Sequence, residues 1–255
     1  MNIAIVGAGN LASSLAPALV ESGQKITRIC SRTFEHAKIL AQKVNAMAVS
    51  NISDLGAAKF YILATPDSEL EQALAALPVD NNSIVMHVSG STSMSVIEKY
   101  HKNCGVLYPL QTFSTARPIA DFSNVPLFIE ANSTENLEQI YAVASKMSKK
   151  VVELNSAQRL GLHISAVFAC NFVNSMLACS ADICHLYDID FGHLQALVQE
   201  TVDKAFAGNN PAKLQTGPAK RRDLQTIDKH IEALRNNAEM QQLYEKITKY
   251  IINTR

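Results

Sequence analysis

The opening stretch of the chain, NIAIVGAGNLASSLAPAL, constrains the fold more than any other part of the sequence. A short run typical of a buried β-strand leads directly into the spacing Gly-x-Gly-x-x-Ala, and a helix-like segment follows. In such a unit the first glycine permits a tight turn, the second lets the backbone approach a pyrophosphate, and the small third residue lets the helix pack on the strand. The pattern predicts a dinucleotide site formed by Gly7, Ala8, Gly9, Asn10 and Leu11.

Short apolar runs alternate with helix-like segments as far as Leu154, and longer helical patterns follow. Alternation of apolar strands and helices indicates a parallel sheet that is covered on both faces. The sequence therefore predicts an α/β fold, with a doubly wound, mostly parallel Rossmann sheet in residues 1–154 and a smaller all-helical domain in residues 155–255. The predicted strands are 2–6, 25–30, 59–64, 83–88, 105–110, 125–131 and 149–154. The predicted helices are 10–22, 34–44, 67–77, 134–147, 156–187, 190–206 and 224–252.

The end of the second predicted strand bears on the choice of dinucleotide. A unit specific for NAD usually carries an acidic residue there, which binds the ribose hydroxyls. This chain instead has Ser31, Arg32 and Thr33. Hydroxyl groups beside a guanidinium suit a 2′-phosphate, so the sequence favours NADP over NAD as the cofactor. The alternative is an exposed loop arginine that binds no ligand.

Polar residues also follow the next strand along the chain, at the edge where the cofactor is expected. Ala64, Thr65 and Pro66 end that strand and are predicted to border the cofactor, because ligands of such sheets bind beyond the carboxyl ends of the strands. Asp67 comes next, and it is equally consistent with a contact in this crevice and with a helix cap before SELEQAL.

His87 and Ser89 lie at the end of the strand after that. Because side chains alternate along a strand, these two share one face. We expect them to meet the nicotinamide or the substrate. The alternative is a hydrogen-bonded core histidine and a serine that caps the next turn.

The helical half contains a run of 22 residues, Leu160 to Ala181, without Asp, Glu, Lys or Arg. That length could span a bilayer. The run stands alone and is interrupted by His163, Asn171 and Asn174, so we expect a buried or subunit-interface helix and no membrane association. At α-helical spacing these three polar residues fall on one stripe, which requires a ligand, a second subunit or water as partner.

Bulk composition excludes several other functions. Lys plus Arg equals Asp plus Glu, at 23 each, so no net charge attracts nucleic acid. The five cysteines form no CxxC pair and lie mostly in apolar runs, which is typical of reduced thiols in a cytoplasmic protein. The amino terminus is typical of a strand and turn rather than a signal peptide. No His/Cys/Asp set has close ligand spacing, so no metal site is predicted.

The late stretch TGPAKRRD precedes the last predicted helix. A guanidinium binds carboxylate in a bidentate manner, so Arg221 suggests an anionic substrate. Asp223 is either part of the same pocket or a plain helix cap. Lys220 and Arg222 are expected to be solvated.

Several of these motifs resemble one superfamily. GAGNLA, ATPD, HVSGS and YPLQTF, followed by a helical half, are similar to the 6-phosphogluconate-dehydrogenase-like superfamily. The first half resembles pyrroline-5-carboxylate reductases and deazaflavin-dependent NADP reductases. The whole chain resembles Rossmann-like oxidoreductases whose C-terminal half is a domain of unknown function of the DUF2520 type. Two residues depart from that pattern: Tyr108 replaces a histidine, and Arg222 stands where glycine is favoured.

The resemblance implies NAD(P)-linked oxidoreduction, with proton transfer by His163 and a substrate-orienting role for Asn171. The hypothesis is an NADP-dependent oxidoreductase that passes hydride between nicotinamide and a small, anionic C=O or C=N substrate. Ser89, Asn171 and Arg221 would hold the substrate, and His163 or His87 would supply a proton. A homodimer through the helical domain is expected. The alternative is a non-catalytic NADP-binding sensor or partner protein.

Overall fold

A computed structural model of the chain describes residues 1–208 and 210–254. These residues form two compact units, Met1–Cys170 and Asn171–Arg255. The sequence predicts a boundary at residue 154, whereas the compact units divide farther along, after Cys170.

The first unit is built on one eight-stranded sheet with the order β3-β2-β1-β4-β5-β6-β7-β8. Neighbouring strands pair in parallel, apart from β6 and β7, which are antiparallel. The predicted doubly wound, mostly parallel sheet is confirmed, and the short β3 is an addition to the prediction. The strands are Asn2–Val6 (β1), Lys25–Cys30 (β2), Met47–Val49 (β3), Phe60–Leu63 (β4), Ile84–His87 (β5), Cys104–Pro109 (β6), Leu127–Ala131 (β7) and Val151–Glu153 (β8).

Helices cover both faces of the sheet, which explains why the central strands are apolar without alternation. Ile3 and Ile5 of β1 pack on the face covered by α1, α2 and α5, whereas Ala4 and Val6 pack on the face covered by α3 and α4. The carboxyl ends of β1 to β6 consequently meet at one edge, where the candidate site lies. The helices are Asn10–Glu21 (α1), Phe34–Lys43 (α2), Leu70–Ala75 (α3), Ser95–Glu98 (α4) and Thr134–Met147 (α5).

The rest of the chain is helical, and its last predicted helix is in fact two. The prediction of one helix over 224–252 is wrong, because the chain turns after Leu234 and the Asn237 side chain accepts a hydrogen bond from the Met240 amide at 3.1 Å. Asparagine is a preferred residue at a helix start. The helices are Ser156–Ala166 (α6), Val173–Leu186 (α7), Gln195–Ala207 (α8), Pro218–Arg221 (α9), Leu224–Ala233 (α10) and Ala238–Thr254 (α11).

A π-helical segment, Val167–Phe172, joins α6 to α7. Its i→i+5 hydrogen bonds place more residues in each turn than an α-helix does. The prediction that His163, Asn171 and Asn174 share one regular α-helical stripe is therefore wrong, because the phase of the helix changes between His163 and Asn174.

The helical stretch Ser156–Leu186 is long and apolar enough to cross a membrane by length and composition, and none of its most apolar window is buried. Its first turns, however, belong to the sheet unit. Arg159 in α6 is fully buried and forms an ion pair with Glu130 of β7. The first turns of this stretch are therefore fixed to the sheet.

Candidate cofactor and proton-transfer site

The turn between β1 and α1 has the geometry that a pyrophosphate needs. Gly7 has a φ of 108°, and its amide donates to the Cys30 carbonyl at 2.7 Å. A Cβ atom at Gly7 would collide with the Ala64 carbonyl, so only glycine fits. Gly9 begins α1 without a side-chain cap, and the first amides of the helix remain available to an anion.

A cleft of about 750 Å³ opens directly beside this turn, at the carboxyl ends of β1, β2 and β4. Its wall contains most of the predicted cofactor contacts, from three separate parts of the chain: Gly7, Ala8, Gly9, Ser31, Arg32, Thr33, Ala64, Thr65 and Pro66. Asn10 and Leu11, also predicted, begin α1 instead. A concave site at this edge is where such sheets bind nucleotides, and the lining residues fit a dinucleotide.

The sequence reasoning missed one wall of the cleft. Ser50, Asn51 and Ser53 line it, directly after β3. Because the three-residue β3 was not predicted, nothing placed the polar run after it at the cofactor edge. The available signal was the cluster SNIS, whose hydroxyl and amide groups suit a ribose or phosphate.

Arg32, the proposed contact for a 2′-phosphate, is 80% exposed and forms an ion pair with Glu69 across the cleft wall. Exposed pairs of this kind contribute only about 0–1 kcal/mol, so an incoming phosphate can displace the carboxylate at small cost. The guanidinium is thus placed for a ligand but already has a partner in the protein.

Asp67 does not cap the following helix, because its carboxylate accepts hydrogen bonds from the Ser89 hydroxyl at 3.0 Å and the Ser91 hydroxyl at 2.7 Å. Burial opposes ionisation of Asp67, but hydrogen bonds from Ser91, Thr92 and Ser89 outweigh it and lower the pKa of the carboxyl group. The carboxylate therefore ties the end of β4 to the loop after β5. Ser89 Oγ also accepts from the Thr92 amide at 3.0 Å, which folds that loop tightly.

His87 lies in the core with 1% of its surface exposed. Its Nδ1 accepts a hydrogen bond from the Ser89 amide at 3.2 Å, so the ring proton of the neutral form sits on Nε2. Burial and the nearby positive charge of Arg159 lower the pKa of His87 to about 4. The neutral, buried ring of His87 thus supports the loop after β5 through Ser89. This is the alternative role, a hydrogen-bonded core histidine, that the sequence left open.

Arg159, which the sequence reasoning missed, organises the loop after β5. This side chain is 1% exposed, and its Nε donates to the Ser89 carbonyl at 3.1 Å. Its Nη2 donates to the Thr92 carbonyl at 2.5 Å, and its Nη1 pairs with Glu130. The same Glu130 carboxylate accepts hydrogen bonds from the amide and hydroxyl of Ser156 at the start of α6. One buried guanidinium thus joins β7, α6 and the loop after β5.

His163 lies one turn beyond Arg159 on α6, and its Nδ1 is 3.1 Å from the Tyr108 hydroxyl near the end of β6. Both rings lie against Gly90 in the loop after β5. A Cβ atom at Gly90 would be 2.6 Å from Nδ1 of His163 and 2.8 Å from Cζ of Tyr108. The predicted residues Ser89 and His163 are therefore close together, with Tyr108 beside them.

The remaining predicted residues belong to the second compact unit. Asn171 is exposed in the π-helical segment, and Arg221 is exposed in α9. Asp223 is the N-cap of α10: its carboxylate accepts from the Thr226 amide at 3.1 Å and the Thr226 hydroxyl at 2.8 Å. Hydrogen bonds from Thr226 lower the pKa of Asp223. Within this unit, therefore, Asp223 acts as a helix cap, which is one of the two roles that the sequence allowed.

Two family descriptions match the chain in succession. The NADP oxidoreductase, coenzyme F420-dependent, family matches residues 2–90, and the domain of unknown function DUF2520 matches residues 125–251. A crystal structure from Bacteroides fragilis, assigned as an NADP oxidoreductase, has a TM-score of 0.90 and 38% identity over 99% of this chain and 98% of its own. The chain belongs to this two-domain oxidoreductase family. It is therefore an NAD(P)-dependent oxidoreductase, as its sequence motifs predict.

Two more distant proteins are similar to this chain only in fold or over a short segment. 1-Pyrroline-5-carboxylate reductase from Streptococcus pyogenes has a TM-score of 0.64 at 13% identity, over 99% of this chain and 98% of that one, so the fold is shared. Glutamyl-tRNA reductase from Methanococcus aeolicus is 43% identical over 60 residues, which are 24% of this chain and 15% of that protein. The chain thus spans a small part of that curated relative.

Proposed function

We propose that this oxidoreductase binds NADP and transfers hydride to or from a small, anionic C=O or C=N substrate, with His163 as the proton-transfer group. The bound nicotinamide supplies or accepts the hydride. The observation that carries the proposal is the arrangement at the sheet edge. The wall of the cleft beside Gly7 includes Pro66, the next residue Asp67 accepts a hydrogen bond from Ser89, and Gly90 lies against His163. A chain of contacts thus leads from the wall of the cofactor cleft to the proposed proton-transfer group.

The residues of this edge divide the work of binding and proton transfer. An imidazole ring can both donate and accept a proton, which suits His163 to general acid–base catalysis. The Ser89 hydroxyl, predicted to hold the substrate, donates to Asp67 and accepts from the amides of Ser91 and Thr92, so its hydrogen bonds serve the loop after β5. The roles that the sequence suggests for Asn171 and Arg221, which are to orient the substrate and bind its anionic group, stay predictions. His87 supports the loop and is not assigned to proton transfer.

The experiment that tests the function is a screen of oxo acids and imino acids for consumption of NADPH by the purified protein. Turnover of one class, with saturation in both substrates, is the expected result. Tight NADPH binding without turnover of any member would instead favour the alternative, a non-catalytic NADP-binding sensor or partner protein.

Replacing Arg32 with Ala tests the choice of cofactor. We expect NADPH affinity to fall by about 10- to 100-fold, because a charged hydrogen bond to the 2′-phosphate contributes about 1.5–3 kcal/mol. NADH affinity should be nearly unchanged, since NADH lacks that phosphate. Titration calorimetry with both cofactors measures the two effects. Arg117→Ala, in an exposed loop away from the cleft, is the matched control. Wild-type protein that binds NADH more tightly than NADPH would contradict the assignment.

We also propose that the protein is a homodimer through its helical half, located in the cytoplasm. No residue of α8 is buried, although the helix carries large apolar side chains. Leu197 is 64% exposed and Phe206 is 86% exposed. Large apolar side chains exposed on one helix are typical of a protein–protein interface. The commonest partner at such an interface is a second copy of the same chain. Sedimentation velocity should give the mass of a dimer, and Leu197→Glu should give a monomer. A monomeric wild-type protein would contradict this proposal.

A further inference from the structure

The Tyr108 hydroxyl forms a hydrogen bond with one ring nitrogen of His163, Nδ1. The two atoms, Tyr108 Oη and His163 Nδ1, are 3.1 Å apart, and the rings meet edge to face with centroids 6.1 Å apart. Tyr108 is 7% exposed and is anchored in β6, which is paired on both sides. Among residues 1–208 and 210–254, a hydrogen-bond partner lies at Nδ1 of the His163 ring and none lies at Nε2.

The loop after β5 is shaped around this contact. Gly90 is buried, and a Cβ atom there would clash with both rings. Arg159 fixes the loop on either side of Gly90 through the carbonyls of Ser89 and Thr92. The position of both rings is thus determined by a strand, a helix and a braced loop, rather than by the hydrogen bond alone.

We propose that Tyr108 is a positioning residue, which commits Nδ1 of His163 and leaves Nε2 as the atom that exchanges the proton with substrate. The inference rests on the proposed function of His163. A tyrosine hydroxyl can both donate and accept a hydrogen bond, so the contact survives a change of protonation. It accepts from Nδ1–H in the imidazolium and still accepts from Nδ1–H in the neutral ring that has given up its Nε2 proton. Burial raises the pKa of Tyr108, which keeps its hydroxyl protonated.

The proton balance then follows for the reductive direction. The carbon of the C=O or C=N group gains a hydride and forms a C–H bond, while the π bond breaks. The heteroatom takes the Nε2 proton from the His163 imidazolium, which becomes a neutral imidazole. His163 afterwards regains a proton from water, and Tyr108 gains or loses none.

Nitrogen NMR of protein with ¹⁵N-labelled histidine tests the contact without any substrate, with His163→Gln to assign the signals among the seven histidines. We expect Tyr108→Phe to shift the Nδ1 signal of His163 more than the Nε2 signal. Tyr141→Phe, at an exposed tyrosine, should shift neither. An Nδ1 signal that does not move in Tyr108→Phe would overturn the proposal. Since no turnover is measured, this result is independent of whether the proposed reaction is correct.

Activity measurements on the substrate found by the screen separate positioning from simple structural support. Tyr108→Phe should lower kcat by about 10- to 100-fold, the cost of a misplaced catalytic group, with the KM for NADPH unchanged. Gly90→Ala should lower kcat as well, because its new methyl group displaces both rings. Gly161→Ala is its control, since a Cβ atom there meets no neighbour. An unchanged kcat in Tyr108→Phe would also overturn the proposal.

Discussion

Replacing Arg159 with Met is expected to lower the free energy of unfolding by about 3–5 kcal/mol, which is the usual cost of removing one partner from a buried ion pair. Glu130, whose side chain is only 14% exposed, would keep its charge without the guanidinium. The carbonyls of Ser89 and Thr92 would each lose a donor. Urea unfolding followed by circular dichroism measures the change.

Arg235 offers the matched control for this experiment. It pairs with Glu232 on the surface of the helical half and is 67% exposed. Arg235→Met should change stability by no more than about 1 kcal/mol. The double variant of Arg159→Met with Glu130→Met should be less destabilised than the sum of its single variants, because no buried charge is then left alone. If Arg159→Met behaved like Arg235→Met, the organising role of Arg159 would be wrong.

Replacing His163 with Gln is expected to lower kcat by about 10²- to 10⁴-fold, the usual contribution of general acid–base catalysis. The affinity for NADPH should stay the same, because His163 does not line the cofactor cleft. Steady-state kinetics on the substrate identified by the screen, together with NADPH titration of the same protein, measures both quantities.

His193→Gln, at an exposed histidine of the helical half, is the control for the loss of an imidazole as such. It should leave kcat and NADPH affinity unchanged. A wild-type kcat in His163→Gln would remove the proposed proton-transfer role and leave the cofactor assignment standing.

Most of the sheet could be predicted from the sequence, because strands buried on both faces must be apolar along their length. β1 and β2 have the predicted bounds, and the turn predicted from the glycine spacing directly follows β1. β3 could not be recognised, because three residues are too few to show a period. The polar wall beyond it, at Ser50 and Asn51, was missed for the same reason.

The site around His163 was only partly predictable. The family resemblance suggested His163, and the replacement of a histidine drew attention to Tyr108, but no local pattern shows that these side chains meet. Arg159 was missed because a charged residue at a helix start is ordinarily solvated. Its burial depends on Glu130, which is 29 residues earlier in the chain, and on a loop 67 residues away. Such pairings follow from the tertiary fold and not from local spacing.

The π-helical segment Val167–Phe172 has a consequence for how this chain tolerates change. The wide turn holds one residue more than an α-helical turn, so the apolar pattern of α6 and that of α7 are out of step when both are read at 3.6 residues per turn. We expect the deletion of a single residue within the segment to convert the wide turn into an ordinary α-helical one. The length of the segment between His163 and α7, and not only its composition, therefore decides which side chains of α7 share a face.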